Sequence, residues 1–151
     1  MTHRTLVIDA NVLLRAVLGH RVIDLMQRFA ASVTLLAPET AFEEAHRHMA
    51  EVLAKRGAGP GAVQPALDKL HALRAFVRPM AIAEYESMMG QALARIGQRD
   101  SDDWPVLACA LAADCPIWTQ DRDFFGVGVA TWTTALIEIY LSESMPDSEA
   151  G

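Results

Sequence analysis

Acidic residues at four places in this chain could do chemistry: Asp9, the pair Glu43 and Glu44, Asp103, and Asp121 with Asp123 two residues on. Carboxylates held within a few ångströms of one another repel, so a cluster of them either takes up protons or binds a cation that offsets the charge. Oxygen-only donors favour a hard ion. Mg²⁺ or Mn²⁺ suits best, because Mg²⁺ is usually held by one or two carboxylates plus substrate phosphates and keeps several waters at about 2.1 Å. Such an ion polarises a phosphoryl oxygen while a carboxylate-steered water attacks phosphorus in line, so the chemistry implied is phosphodiester hydrolysis.

The elements that must position these acids follow from the hydrophobic pattern. Thr5-Leu-Val-Ile8 is short and apolar on both parities, which suits a central parallel strand, and it ends at Asp9. Helical spacing follows through Val12, Leu13 and Val17, then through Val22 to Phe29. Val33 to Ala37 reads as a second strand stopped by Pro38. From Thr40 to Lys55 or Arg56, apolar residues recur at three- and four-residue steps, placing Glu43 and Glu44 in the first turns of an amphipathic helix. Gly57 to Gly61 breaks it, and a further helix (Val63 to Leu73) leads to a strand at Phe76-Val-Arg78.

The pattern then predicts a helix from Tyr85 to Ile96 and another opened by Ser101 as N-cap, with Asp103 in its first turn and Pro105 close behind. Pro116 to Thr119 and Val129 to Trp132 read as the fourth and fifth strands, and Thr133 opens a last helix. Strands separated by helices imply right-handed parallel crossovers, hence an α/β fold: a single three-layer α/β/α domain with a central parallel sheet of about five strands. We expect the domain to span residues 1–141, with 142–151 as a solvated tail. Ligands in such sheets bind at the carboxyl ends of the strands, the edge where Asp9 and Asp121 stand and where Glu43, Glu44 and Asp103 can join them.

Three segments resemble the motifs of the PIN-domain nuclease family: Val7-Ile-Asp-Ala-Asn-Val12, Asp103-Trp-Pro-Val-Leu-Ala-Cys-Ala-Leu111 and Ile117-Trp-Thr-Gln-Asp-Arg-Asp-Phe124. The interval of 18 residues from Asp103 to Asp121 also resembles the family's. The resemblance implies a Rossmann-like fold and a Mg²⁺- or Mn²⁺-dependent ribonuclease. It often implies a VapC-type toxin as well, with an antitoxin protein and a second copy as partners. It places metal-binding acids at Asp9, Asp103 and Asp121, with Asp123 as the second acid of the third motif. It also implies that Asn11 supports Asp9 and that the Thr119 hydroxyl orients a ligand or its water. The helical glutamate of the family is usually followed by an apolar residue, which selects Glu44 over Glu43. The stretch Pro38 to His48 is similar to a PIN subgroup with a longer helical midsection, here Arg56 to Arg74, and less closely tied to toxins.

The composition bounds the partners. The chain has 151 residues, 52% hydrophobic and 21% charged, and its 13 basic against 19 acidic residues leave a net charge of −6. A protein that coats nucleic acid by bulk charge is excluded, so RNA contacts must be local. Of the basic residues 11 are arginine, which matches phosphate oxygens bidentately, and Arg15, Arg99 and Arg122 stand near the acids in sequence. Asp100 and Asp102 read as solvated loop charges. His46 and His48 read as helix-surface residues, since a zinc site would need further N or S ligands at recognisable spacing. Cys109 and Cys115 read as buried thiols, Met88 and Met89 as core filler, and Trp104 and Trp132 as packing residues. No apolar run approaches the ~20 residues of a membrane span, and the amino terminus reads without a signal peptide, so a cytoplasmic protein is expected.

Other function classes fit less well. A receiver domain needs an acid pair after the first strand and a lysine after the last, and the only lysines are Lys55 and Lys69. A dinucleotide enzyme needs a G-x-G-x-x-G after the first strand. The remaining alternative is a non-catalytic PIN-like module that binds RNA or protein.

Overall fold

Leu6, Val7 and Ile8 are all fully buried, which requires a strand covered on both faces. In the computed structural model, which describes residues 4–97 and 99–142, they belong to β1 (Arg4–Ile8). This is the middle strand of a five-stranded sheet with β2 (Val33–Pro38), β3 (Val77–Met80), β4 (Ile117–Trp118) and β5 (Thr131–Trp132), ordered β3-β2-β1-β4-β5. Every pairing is parallel.

The helices are α1 (Ala10–Leu18), α2 (Arg21–Arg28), α3 (Glu39–Lys55), α4 (Val63–Ala72), α5 (Met89–Ile96), α6 (Trp104–Ala113) and α7 (Thr134–Ser142). Alternate strand residues divide between two cores. Leu6, Ile8, Leu35 and Trp118 pack with apolar residues of α1 to α4 and α7. Val7, Leu36 and Ile117 pack with α5 and α6 on the other face. The result is the three-layer α/β/α arrangement.

Two features of this topology bear on the acids. The chain moves from β1 outward to β2 and β3 and then returns to β4 on the other side of β1, so the strand order reverses between β1 and β4. The crevice beyond the carboxyl ends of two such strands is where ligands of open α/β sheets bind. Second, α6 is buried without a break from Pro105 to Ala110, as expected of a helix apolar all round. Asp103, the N-cap residue just before it, is therefore anchored to the core rather than carried on a loose loop.

Several boundaries differ from the sequence expectation. Tyr85 does not open a helix. It is 1% exposed with its ring 5.6 Å from that of Trp104, and this burial holds its backbone at φ −134, outside helical geometry. Two 3₁₀ turns, Ile82–Glu84 and Glu86–Met88, therefore precede α5. Met89, on the first turn of α5, is 42% exposed and fills no core, whereas Met88 packs against one. Asp100, not Ser101, caps the turn before α6, since its Oδ1 accepts from the Asp102 N–H at 3.0 Å. Between β4 and β5 there is only a 3₁₀ turn at Arg122–Phe124. The third strand lies later than expected, and the last two pair over two residues only. Ser142 closes α7, and the expectation for the rest of the tail falls outside the described residues.

Candidate active site

Asp9 is the first residue after β1 and 6% exposed. Its two oxygens have separate duties. Oδ1 accepts from the Val12 N–H at 3.0 Å, capping α1. Oδ2 accepts a hydrogen bond from the hydroxyl of Thr119, the residue following β4. The same hydroxyl accepts from the Asp121 N–H at 2.9 Å, and Asp121 Oδ1 in turn accepts from the Asp123 N–H at 2.9 Å. Thr119 is fully buried. A side chain with no freedom thus clamps the acid of β1 to the turn that carries the acids after β4.

Asp103 differs in kind. Although it occupies the N-cap position of α6, its side chain makes no capping hydrogen bond. Its Oδ2 is buried with no hydrogen-bond partner. A helix-capping role, the ordinary explanation for an aspartate at this position, is therefore absent, and the carboxylate faces its acidic neighbours.

These residues share a cavity of about 480 Å³ whose walls include Asp9, Asn11, Glu43, Glu44, Asp103 and Asp121. Burial is the largest influence on Asp9 and raises its carboxyl to about 6 despite the bonds from Thr119 and Val12, with Asp121 and Glu44 adding repulsion. Burial followed by the neighbouring charge of Asp121 pushes the Asp103 carboxyl well above the usual carboxylate range. The charge of Glu44 acts on both Asp9 and Asp103, whereas that of Glu43 acts on Tyr85. Both glutamates line the cavity.

The other expected residues sort by position. Asp123 is not a wall of the cavity and stands instead with Asp100 and Asp103, one carboxylate oxygen of each lying within 4.8 Å of the others. Asn11 lines the cavity, but its Oδ1 accepts from Arg15 Nε at 3.3 Å and it makes no hydrogen bond to Asp9, so Thr119 does that work. Arg99 Nη1 donates to the carbonyls of Asp123 at 2.9 Å and Phe125 at 2.7 Å, tying down the loop after β4. Arg122 is exposed beside Asp121, and His46 and His48 are both exposed on α3. Cys109 is buried and Cys115 half-buried, both unpaired. Trp104 and Trp132 are half-buried against Tyr85 and Tyr140.

Sequence reasoning missed three residues at this edge. Asp102 and Arg47 both line the cavity, and Asp100 joins the oxygens of Asp103 and Asp123. For Arg47 there was a signal, since it follows Glu43 by four residues and Glu44 by three and therefore shares their side of the helix. For the two aspartates the signal was only their proximity in sequence to Asp103.

Comparison with known proteins agrees with this fold. The profile of the PIN domain matches residues 7–142. Among solved structures, the chain is similar to VapBC2 from Rickettsia felis bound to a DNA fragment from their promoter, with TM-score 0.67 and 11% identity over 85% of this chain and 98% of that one. It is similar to PAE2754 from Pyrobaculum aerophilum, with TM-score 0.65 and 15% identity over 93% and 90%. It also resembles a toxin–antitoxin complex from Klebsiella pneumoniae, with TM-score 0.59 and 14% identity over 85% and 97%. At such identities these likenesses speak to the fold alone. No curated protein sequence matches the chain.

Proposed function

This chain belongs to the PIN-domain family, and on that premise we propose that it is a Mg²⁺- or Mn²⁺-dependent endoribonuclease hydrolysing RNA phosphodiester bonds. The observation that carries the reading is the meeting of Asp9, Glu44, Asp103 and Asp121 around one cavity at the point where the strand order reverses. The donor set suits a hard divalent ion. Every group is an oxygen, and the buried Asp103 Oδ2 has no hydrogen-bond partner. Asp9, Asp103 and Asp121 would hold the ion, with Asp123 supporting the side of Asp103. Once bound, the ion would polarise the scissile phosphoryl group and offset the repulsion between an acidic protein and RNA.

The protein's own groups supply the rest. Glu44, exposed on α3 at the cavity, accepts the proton of a water attacking phosphorus in line. Thr119 fixes the orientation of Asp9, and the buried start of α6 fixes Asp103, so neither acid needs to reorganise when substrate arrives. Two of the similar structures are toxin–antitoxin assemblies. That supports a toxin role in which a partner protein covers the acidic cavity, and the family resemblance supports a homodimer.

The test is cleavage of a mixed structured RNA pool by the purified protein with Mn²⁺, with EDTA, and with Asp103→Asn alongside. Cutting that needs Mn²⁺ and is lost in the variant supports the proposal. Failure to bind Mn²⁺ at all would transfer the function to a non-catalytic RNA- or protein-binding module.

A further inference from the structure

Arg47 is the single cationic side chain lining the acidic cavity among the described residues. Its spacing from Glu43 is the i,i+4 interval that favours a helix ion pair. No such pair forms, and Arg47 has no salt bridge within the described residues. Its guanidinium is exposed on α3 and open to an external anion.

The same residue lines a second cavity, about 440 Å³, between α3 and α4. Its remaining walls combine apolar Leu67 and Leu70 with His46, His71 and Arg74, against Glu43 as the single acid. Arg74 is held in place by Glu39 at 3.0 Å and by the Phe42 ring, whose centre lies 4.5 Å from its guanidinium carbon. The volume falls in the range of small-ligand pockets, room for one unstacked nucleotide and too little for a duplex.

We infer that single-stranded RNA leaves the acidic cavity along this α3–α4 groove, with Arg47 on the phosphate adjoining the one cut and the half-buried Leu67 against the next base. The inference rests on the ribonuclease reading and adds the strand's path to it. Charge complementarity selects this side. A groove of about 380 Å³ between α1 and α3 also opens from the acids, but Glu44 and Glu51 share its walls. Its two arginines, Arg15 and Arg56, are matched by those two acids, whereas Arg47 and Arg74 of the α3–α4 groove face Glu43 alone among its walls.

The experiment is equilibrium binding of a fluorescently labelled, unstructured single-stranded RNA, followed by anisotropy over a series of salt concentrations with Ca²⁺ in place of Mn²⁺. Arg47→Ala is expected to weaken binding about tenfold and to flatten the dependence of log K on log salt by about 0.7, the value of one phosphate contact to a single strand. Arg47→Lys restores the slope and only part of the affinity, because a lysine offers a point charge rather than a planar fork. Arg56→Gln leaves both unchanged. An unaltered slope in Arg47→Ala, or equal losses in Arg47→Ala and Arg56→Gln, overturns the path while leaving the ribonuclease in place. A wild-type protein that neither binds this RNA nor cuts RNA in Mn²⁺ removes the ribonuclease reading and the path with it.

Discussion

The hydroxyl of Thr119 donates to the carboxylate of Asp9 across a sequence separation of 110 residues, joining the ends of the two strands between which the sheet reverses its order. Because the same oxygen accepts from the Asp121 N–H, one buried group sets the spacing of two acids. Thr119→Val keeps the shape, removes both bonds and leaves a buried carboxylate oxygen unpaired. A loss of about 1–3 kcal/mol in stability is expected, the cost of an unsatisfied buried polar group. A loss of about 10- to 100-fold in Mn²⁺ affinity should accompany it, as for other residues that orient metal ligands. Thermal melting and calorimetric titration check the two effects, and Thr119→Ser should recover most of both.

Asp9 sets a pH dependence whose sign is opposite to that of a salt-bridged aspartate. Burial raises its carboxyl from 3.8 to about 6, so the folded protein holds a proton that the unfolded chain releases. The stabilisation from that proton is complete below pH ~4 and is lost as pH rises through ~6, an effect of up to about 3 kcal/mol at 1.36 kcal/mol per pH unit. In EDTA the stability difference between Asp9→Asn and the wild type should therefore grow in favour of the variant between pH 4 and 6 and level off above. A constant difference across that range would show that Asp9 is not a strained group.

The same repulsion predicts the effect of metal. Mn²⁺ at about 100 times its dissociation constant should stabilise the wild-type protein by about 2.7 kcal/mol by mass action, because the unfolded chain has no assembled site. Asp103→Asn removes the one acid whose buried oxygen has no other partner. It should melt higher than the wild type in EDTA and gain little from Mn²⁺. Differential scanning calorimetry in the two buffers gives the comparison directly.

How much of this was legible in the sequence depends on the range of the interaction. β1 and Asp9 were readable because an apolar run on both parities has one structural meaning and the acid follows it at once. The helix that brings Glu43 and Glu44 to the cavity was readable from its apolar spacing, which does not separate the two glutamates. The place of Asp100 was not, because it depends on a 3₁₀ turn that brings its oxygen against Asp103 and Asp123. The turn at Tyr85 was hidden for the same kind of reason. Its ring is buried against Trp104, 19 positions further on, and no local pattern announces that contact. Arg47 was hidden by its own charge, since an arginine on an amphipathic helix reads as solvated until the cavity beside it is seen.

Arg99 and Arg122 stand close together in the fold and differ in employment, which separates two explanations of an arginine near an acidic site. Arg99 spends its guanidinium on the carbonyls of Asp123 and Phe125, so Arg99→Ala should loosen the loop after β4. It is expected to cost about 1–2 kcal/mol in stability and to lower Mn²⁺ affinity, with the salt dependence of RNA binding unchanged. Arg122 is exposed and makes no hydrogen bond or ion pair among the described residues. Arg122→Ala should leave the melting temperature within about 0.5 kcal/mol of the wild type and weaken RNA binding with a shallower salt slope. Melting curves and salt-dependent anisotropy on the two variants decide the assignment. If Arg122→Ala binds RNA as the wild type does, the strand does not pass over the loop after β4, and the acids there face metal alone.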